Sequence, residues 1–536
     1  MKRKSIILFT VLSLISCQKG LETIETPVVS SDEATISVSQ DLFISHSEKA
    51  VIGNKIPNPL SIDNMRKAFD MLPEMTKAGY SKNDIIPTHH YIAFTPSNED
   101  EYYAIKAIKD EDVFISHYPL DYEVSDGLIT PDPRFMINDY SYVWAYVPVN
   151  YELKNINCPY ILYYDIYAPE YDNPDTKSNN AIPHKLGVEL EKTAYKMCGL
   201  PLTPVLQTKA GSVHPSGYIK FWDLDSSSYK GVDGFKVRAV RGLHSCFMNT
   251  DASGYFTTDD TFQYAFQYEV YFRRTDFEIR NNESTNEIIL KYSNYTGPIN
   301  LYYSDDDLCF YAAIDRAAIV YYYLNNCGLR RPPMESDNTA RLAIQAITDE
   351  DDPDVYGLFY INNRVILSER PKIHIYKKAD NTRRANVDIF ATTIHELAHA
   401  SHWRGNKKVF NATDNQVIES FARGVQWILT NEYYPGYVVP FYARQCYTGI
   451  VQDLIDGTGI KESYYCGTWV NGVLTWTSSS YKTYYDNVTG FTPSQIEESV
   501  RISKTWNEWQ YNIRENNPGI TSTANLSDAF TYWNAQ

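Results

Sequence analysis

Residues 392–403 read TTIHELAHASHW, and this stretch decides how the C-terminal part of the chain is interpreted. Apolar residues recur in and before it at helical spacing, which predicts one helix with a single buried stripe. His395 and His399 are four residues apart, so they stack one turn above the other beside that stripe. The stripe consists of Val387, Phe390, Ala391, Ile394 and Ala398.

Two imidazoles placed one turn apart can bind one metal ion, with each nitrogen about 2.0–2.1 Å from it. Glu396, which follows His395, is then in position to act as a general base. A catalytic zinc ion takes three ligands from the protein and keeps a fourth position open, so the motif needs one more ligand. Glu419 is the candidate, because it lies beside the apolar stripe of a second predicted helix at 413–429.

The motif HELAH at 395–399, with Glu419 placed 20 residues after the second histidine, resembles the gluzincin zinc peptidases. The segment ESFA at 419–422 is similar to the matching part of their aminopeptidase branch. These similarities cover about 35 residues. The resemblance implies a zinc-dependent metallopeptidase that hydrolyses peptide bonds in a protein or peptide substrate.

The same resemblance assigns roles to individual residues and to one strand. It implies that His395, His399 and Glu419 are Zn2+ ligands and that Glu396 is the general base. It also implies that the segment KIHIYK at 372–377 is an edge strand that pairs with the substrate backbone.

Other positions depart from the gluzincin pattern or extend it. Thermolysin-like gluzincins have an aspartate four residues after the third ligand, where this chain has Arg423, so no residue is identified that would orient a ligand histidine. His402 shares the helix face of the two motif histidines and is a candidate for lining the cleft, with a solvated surface position as the alternative. Tyr433 and Tyr434, which follow the second helix, are further cleft candidates.

The N-terminus, MKRKSIILFTVLSLISC, combines a basic start, a short apolar run and a cysteine. It resembles the signal peptide and lipobox of bacterial lipoproteins, which implies removal of residues 1–16 and lipidation of Cys17. An ordinary secretory signal is the alternative. Residues 17–40 are polar and rich in serine and threonine, which predicts a flexible tether. We therefore expect a lipoprotein of the bacterial cell envelope, anchored to the outer membrane or the cell surface.

The rest of the chain divides into three predicted domains, which together give a multidomain α+β fold. Residues 41–205 mix helical and strand patterns and form an N-terminal α/β module. Residues 206–285 contain short alternating strands, and TDASGYF at 250–256 resembles carboxypeptidase-regulatory-like domains. That resemblance implies a small prealbumin-like β-sandwich without catalytic residues. Residues 286–536 form the gluzincin-like α+β metallopeptidase domain.

Composition narrows the choice of partners. The net charge of the 536 residues is −17, and it becomes −20 once the signal's three cations are removed, which argues against nucleic-acid binding.

Seven cysteines follow Cys17. Closeness in sequence makes Cys309 with Cys327, and Cys446 with Cys466, plausible disulfides in an exported protein. Buried free thiols fit the sequence equally well, so no connectivity is assigned. The oligomeric state is not indicated by the sequence.

Two other functions are compatible with the sequence. One is a non-catalytic surface lipoprotein that binds glycan or protein through its sandwich and through surfaces rich in the chain's 45 tyrosines. The other is a glycosidase that uses paired carboxylates, for which no spacing stands out.

Overall fold

The computed structural model of the chain divides it into two units, Met1–Ile36 and Ser37–Gln536. The predicted signal peptide, Cys17 and the tether up to residue 39 lie outside the described residues. No helix among the residues that are described is both long and apolar enough to cross a membrane. The structure describes residues 40–108, 113–169, 182–200, 202–205, 212–282, 286–335, 341–351, 357–362, 370–379, 381–439, 447–459, 461–465, 468–470, 473–475 and 481–535.

The unit that begins at Ser37 mixes α-helices with several β-sheets, as the sequence predicts. A π-helical segment, Val320–Leu324, continues one of the helices. The α-helices are Ile62–Asp70, Pro73–Lys77, Glu99–Lys106, His184–Met197, Asp306–Ile319, Asn386–Gly405, Lys407–Phe410, Asn415–Tyr433, Ile450–Ile455, Pro493–Val500, Trp506–Asn516 and Thr523–Ala535.

Two five-stranded sheets share one hydrophobic core, to which Phe221 of the first sheet and Tyr268 of the second belong. Several of their strands come from outside residues 206–285. The first sheet has the order Gln40–Ile44, Ile299–Tyr303, Ser216–Asp223, Ser228–Gly231, with Tyr255–Thr257 also paired to Ser216–Asp223. The second has the order His244–Asn249, Lys236–Arg241, Phe266–Tyr271, Ile289–Tyr295, Gly127–Leu128.

The N-terminal part contains a four-stranded antiparallel sheet with its own buried cluster. The helices Ile62–Asp70 and His184–Met197 contribute Met65 and Leu190 to that cluster, which also holds Tyr91 of the sheet. The strand order is Tyr160–Ile166, His89–Phe94, Val143–Pro148, Phe114–Ser116. Small two-stranded pairs join Ile52–Lys55 to Tyr122–Val124, Met136–Ile137 to Tyr140–Ser141, Lys461–Tyr465 to Tyr481–Tyr485, and Thr468–Val470 to Val473–Thr475.

A further sheet, which we call the motif sheet, packs against the helix that carries the HELAH motif. Its strand order is Phe277–Asn281, Leu342–Asp351, Arg370–Ala379, Gly357–Asn362, with Thr382–Arg383 also paired to Arg370–Ala379. The first three strands are parallel, and Gly357–Asn362 runs antiparallel to its neighbour. Gly357–Asn362 is therefore the edge strand of the described sheet.

The edge-strand prediction for residues 372–377 is wrong. This segment lies within Arg370–Ala379, which pairs with a strand on either side. The edge position was implied by the gluzincin resemblance and not by a pattern within the segment. In the structure, Nε2 of His374 lies 2.9 Å from the hydroxyl oxygen of Tyr360 on the neighbouring strand. The edge position belongs instead to Gly357–Asn362.

Cys309 and Cys327 do not form the disulfide that their closeness in sequence made plausible, because both are free thiols, the other alternative that the sequence left open. Cys309 lies in the first turn of Asp306–Ile319, and Cys327 follows the π-helical continuation of that helix. Fifteen helical residues at about 1.5 Å each separate the two by about 20 Å, far beyond the roughly 7 Å that a disulfide spans. Cys446 and Cys466 lie outside the described residues.

Asp315 is buried in the helix Asp306–Ile319. It is 1% exposed, and neither carboxylate oxygen has a hydrogen-bond partner among the described residues. Burial raises the pKa of Asp315 well above its usual range, and the charge of Arg274 opposes this only in part. The folded protein therefore keeps this carboxyl group neutral at a pH at which the unfolded chain ionises it.

Replacing Asp315 with asparagine should remove a pH dependence of stability. Because the native pKa lies above the unfolded one, the native state binds an extra proton, and stability falls as pH rises past about 4. Above about pH 4, the wild-type free energy of unfolding should fall with rising pH relative to that of Asp315→Asn, by at most about 1.4 kcal/mol per pH unit. Urea unfolding of both proteins measures the difference, and parallel pH profiles would contradict it.

Candidate metal centre

The helix Asn386–Gly405, which we call the motif helix, is held in place by its predicted apolar stripe. Val387, in the first turn, is half-buried, and the remainder of the stripe is fully buried. The stripe residues that are 0% exposed are Phe390, Ala391, Ile394 and Ala398.

The second helix, Asn415–Tyr433, which we call the facing helix, packs closely along the motif helix. It begins after Asp414, and its buried side includes Phe421 and Val425. Glu419 lies near its start, one turn into the helix. On its far side, a Cβ at Gly424 would collide with Val451, so this glycine lets the following helix pack tightly against it.

The packing of these two helices brings His395, His399 and Glu419 to one point. The Nε2 atoms of the two histidines are 3.1 Å apart, and their rings are perpendicular. The Oε2 atom of Glu419 lies 3.1 Å from Nε2 of His395 and 3.3 Å from Nε2 of His399. The two histidines are 7% and 6% exposed.

This donor set fits a metal ion. Ligand atoms at about 2.0–2.1 Å from a tetrahedral ion are separated from one another by about 3.3 Å, close to the three distances between Glu419, His395 and His399. The two Nδ1 atoms are buried and have no hydrogen-bond partner among the described residues. The three residues therefore form a buried group that could bind a metal ion.

The electrostatics of the group favour a positive charge at its centre. Burial lowers the pKa of His395 to about 4. Burial acts in the same way on His399, but the charge of Glu419 outweighs it and raises the pKa of His399. Burial opposes ionisation of Glu419, yet the two histidines hold the pKa of its carboxyl below its usual range. A bound cation would supply the same positive charge, with both imidazoles acting as neutral ligands.

The side chain of Glu396 lies where the motif helix faces the edge strand Gly357–Asn362. It is 6% exposed, and burial raises the pKa of Glu396 to about 7. The backbone N–H of Phe359 donates a hydrogen bond to its carboxylate. A Cβ at Gly357 would lie 2.9 Å from Oε1 of Glu396 and 2.6 Å from Cγ2 of Thr392. The absence of a side chain at Gly357 thus lets the strand approach Glu396 closely.

The structure places His402 inside the protein. It is 0% exposed, which excludes the solvated surface position. Its ring packs edge-on against Phe410 and Phe421, and neither ring nitrogen has a hydrogen-bond partner within the described ranges. Burial lowers the pKa of His402 to about 3, so the ring is a neutral part of the packing beside the cluster.

Tyr433 and Tyr434 are not brought to the cluster. They end the facing helix fourteen and fifteen residues after Glu419, which is about 21 Å along the helix axis. Both rings instead contact Phe390 and the guanidinium of Arg316.

Two residues that the sequence reasoning did not assign lie beside the cluster. The ring of Tyr447 is 5.9 Å from that of His395, and the guanidinium of Arg423 lies 4.4 Å above the Tyr447 ring. The charge of Arg423 also opposes protonation of both histidines of the cluster. A signal for Arg423 existed, since it follows Glu419 by one helical turn. Tyr447 lies outside both helices, so no spacing pointed to it.

The group should bind one metal ion per chain. Glu419→Gln should weaken that binding by more than about 100-fold, because Glu419 supplies a charged ligand atom. Changing a residue that only orients a metal ligand typically costs about 10–100-fold in affinity. Elemental analysis gives the metal and its ratio to protein, and competition with a chelator gives the affinity. His214→Ala removes an exposed histidine and serves as the control. A wild-type protein that stays metal-free after dialysis against Zn2+ would contradict the assignment.

No protein-family model matches the chain, and no curated protein sequence matches it. What is established here is the geometry: two buried histidines and a half-buried glutamate that could bind a metal ion. A buried glutamate follows the first of them in the chain.

Proposed function

We propose that the protein is a zinc metallopeptidase of the gluzincin type. The observation that carries the proposal is the meeting of His395, His399 and Glu419 at one point, on two helices whose spacing in sequence has the gluzincin pattern. Two imidazole nitrogens and one carboxylate oxygen are a donor set that Zn2+ favours, and three ligands leave a coordination position for reactants.

The chain's own residues would divide the work of peptide hydrolysis. A bound zinc ion supplies Lewis acidity, which makes water more acidic and a carbonyl carbon more electrophilic. His395, His399 and Glu419 hold it and set its position. Glu396 takes a proton from the attacking water onto its carboxylate and later gives it to the leaving amine. The burial of this carboxylate keeps bulk water from competing for that proton.

The edge strand Gly357–Asn362 is the surface we propose for the substrate backbone. It pairs with the motif sheet on one side only among the described strands, and the side chain of Leu358 is 45% exposed. An extended peptide added to this edge would form main-chain hydrogen bonds next to Glu396, because the Phe359 N–H already reaches that residue.

The remaining expectations belong to the same proposal. The two sheets that share a core around Phe221 and Tyr268 support a prealbumin-like sandwich as a spacer or binding module. Lipidation at Cys17 would anchor the enzyme to the outer membrane or the cell surface. Its substrates would then be proteins or peptides outside the cytoplasm.

Glu396→Gln should abolish hydrolysis while the metal stays bound. Removing a general base costs about 100-fold or more in rate, and Gln is similar in shape to Glu. Digestion of a peptide library by zinc-loaded protein measures the activity, and elemental analysis measures the zinc. Glu432→Gln, an exposed change on the facing helix, is the matched control. Normal cleavage by Glu396→Gln would refute the mechanism. A wild-type protein that binds no zinc and cleaves nothing would favour the non-catalytic binding protein.

Gly357→Ala should impair hydrolysis through the edge strand. The added methyl group would overlap Thr392 and Glu396, so the strand must shift, which typically costs about 1–3 kcal/mol of stability. We expect at least a tenfold loss of activity with zinc content unchanged, because a shifted strand would misplace Glu396 relative to the substrate, and each 1.4 kcal/mol added to the activation barrier lowers the rate about tenfold. Gly297→Ala places its methyl group in open space and is the control. Equal activity of the two variants would show that the strand does not position Glu396.

A further inference from the structure

A polar cavity of about 360 Å³ lies at the C-terminal end of the motif helix. It is formed where the loop after the π-helical segment meets the last turn of the motif helix and the end of Pro493–Val500. Five cationic residues line it, and no acidic residue does. These five are Arg330, Arg331, Arg404, Lys407 and Arg501.

This concentration of positive charge stands out in a chain whose net charge is −17. Two carboxylates lie near the lining. Glu498 accepts hydrogen bonds from Arg330 and Arg501 at the outer edge. Glu497 accepts from the backbone N–H of Arg330, and burial raises the pKa of its carboxyl group. Two acids against five cations leave an excess of positive charge in the cavity.

The buried part of the lining holds N–H donors without acceptors. Trp403 is 1% exposed, and its indole Nε1 has no hydrogen-bond partner among the described residues. The Nε atom of Arg501 is buried and is unpartnered in the same sense. Leaving such a donor unpaired costs about 1–3 kcal/mol, so each points to an acceptor that binds in the cavity.

The cationic side chains are fixed rather than loose. Arg404 donates to the backbone carbonyl of Arg331 at 3.0 Å, and Nη2 of Arg501 donates to the carbonyl of Gly405 at 2.6 Å. A Cβ at Gly405 would collide with the Arg501 side chain, so a glycine is needed for this contact. Lys407 lies 4.2 Å over the ring of Trp403. Sites whose donors are held before binding lose less entropy when a ligand binds.

We propose that this cavity is a binding site for an oxyanion, namely a carboxylate, sulfate or phosphate group of a small molecule or of a larger ligand. Charge-assisted hydrogen bonds from guanidinium groups suit such oxygens, and Trp403 adds a neutral donor at the buried end. None of the three cluster residues lines the cavity. Arg404 follows His395 by nine residues, about two and a half helical turns, and so lies on the opposite side of the motif helix, whereas Trp403 lies one turn after His399.

The experiment measures anion binding directly, without reference to hydrolysis. Equilibrium dialysis of the whole protein with radiolabelled sulfate at low chloride gives the stoichiometry and the dissociation constant. Competition by phosphate, acetate and chloride at equal ionic strength separates tetrahedral dianions from carboxylates and from simple screening. We expect one site per chain, with chloride the weakest competitor.

Variants locate the site. The double variant Arg331→Gln with Lys407→Gln changes two exposed cations and should weaken sulfate binding at least about tenfold. Lys408→Gln removes the same charge from an exposed residue next to Lys407 that does not line the cavity, and it should change binding less than twofold. Trp403→Phe should also weaken binding, because the change deletes the unpaired donor. The smaller ring leaves space at a buried position, so the folding of this variant is checked by urea unfolding before its binding is compared.

Three results would overturn the proposal. No saturable sulfate binding by the wild-type protein is the first. Equal weakening by the double variant and by Lys408→Gln would show non-specific attraction. Unchanged binding in the double variant would place the anion elsewhere. Failure of the peptidase proposal would leave all three measurements unaffected.

Discussion

The contact between the motif helix and the facing helix is the constraint on which the proposed chemistry depends. Each helix is ordinary by itself, with one apolar stripe and one polar side. Packing the stripes together leaves the two imidazoles of His395 and His399 with one place to point, and Glu419 occupies the same place. The donors meet because the hydrophobic contact is extensive, and not because the polar groups attract one another in water.

That arrangement is costly without a cation. Two imidazoles and a carboxylate are withdrawn from water. The Nδ1 atoms of the two imidazoles have no hydrogen-bond partner among the described residues. A divalent ion bound by all three would convert this cost into binding free energy, since the site exists only in the folded state. The metal and the helix packing would therefore stabilise each other, which gives the buried polar group a physical reason to exist.

The periodicity of apolar residues predicted local structure, but it did not predict which elements become neighbours in the fold. The motif helix, its stripe and the stacking of His395 on His399 follow from spacings of three and four residues. That Glu419 of the facing helix joins them was implied by the gluzincin resemblance. Spacing does not report which strands become neighbours. Residues 372–377 have the pattern of a strand, but that pattern does not show that Gly357–Asn362 pairs with them and places them inside the motif sheet. Tyr447 reaches His395 through the tertiary fold, which no local pattern encodes.

The motif sheet is itself held by buried charges whose pairing no sequence pattern indicates. Its outer strand, Phe277–Asn281, carries Glu278, which is 0% exposed and lies 3.4 Å from Nζ of Lys106 in the N-terminal part. Glu287 binds the same lysine at 3.0 Å and Arg273 at 2.9 Å.

Buried pairs of this kind add little net stability, but breaking one leaves a charge that water cannot reach. They therefore specify how the N-terminal sheet joins the strand that begins the motif sheet. Through Leu342–Asp351 and Arg370–Ala379, that same sheet leads to the strand beside Glu396. The position of the proposed base thus depends on residues more than 250 positions earlier in the chain.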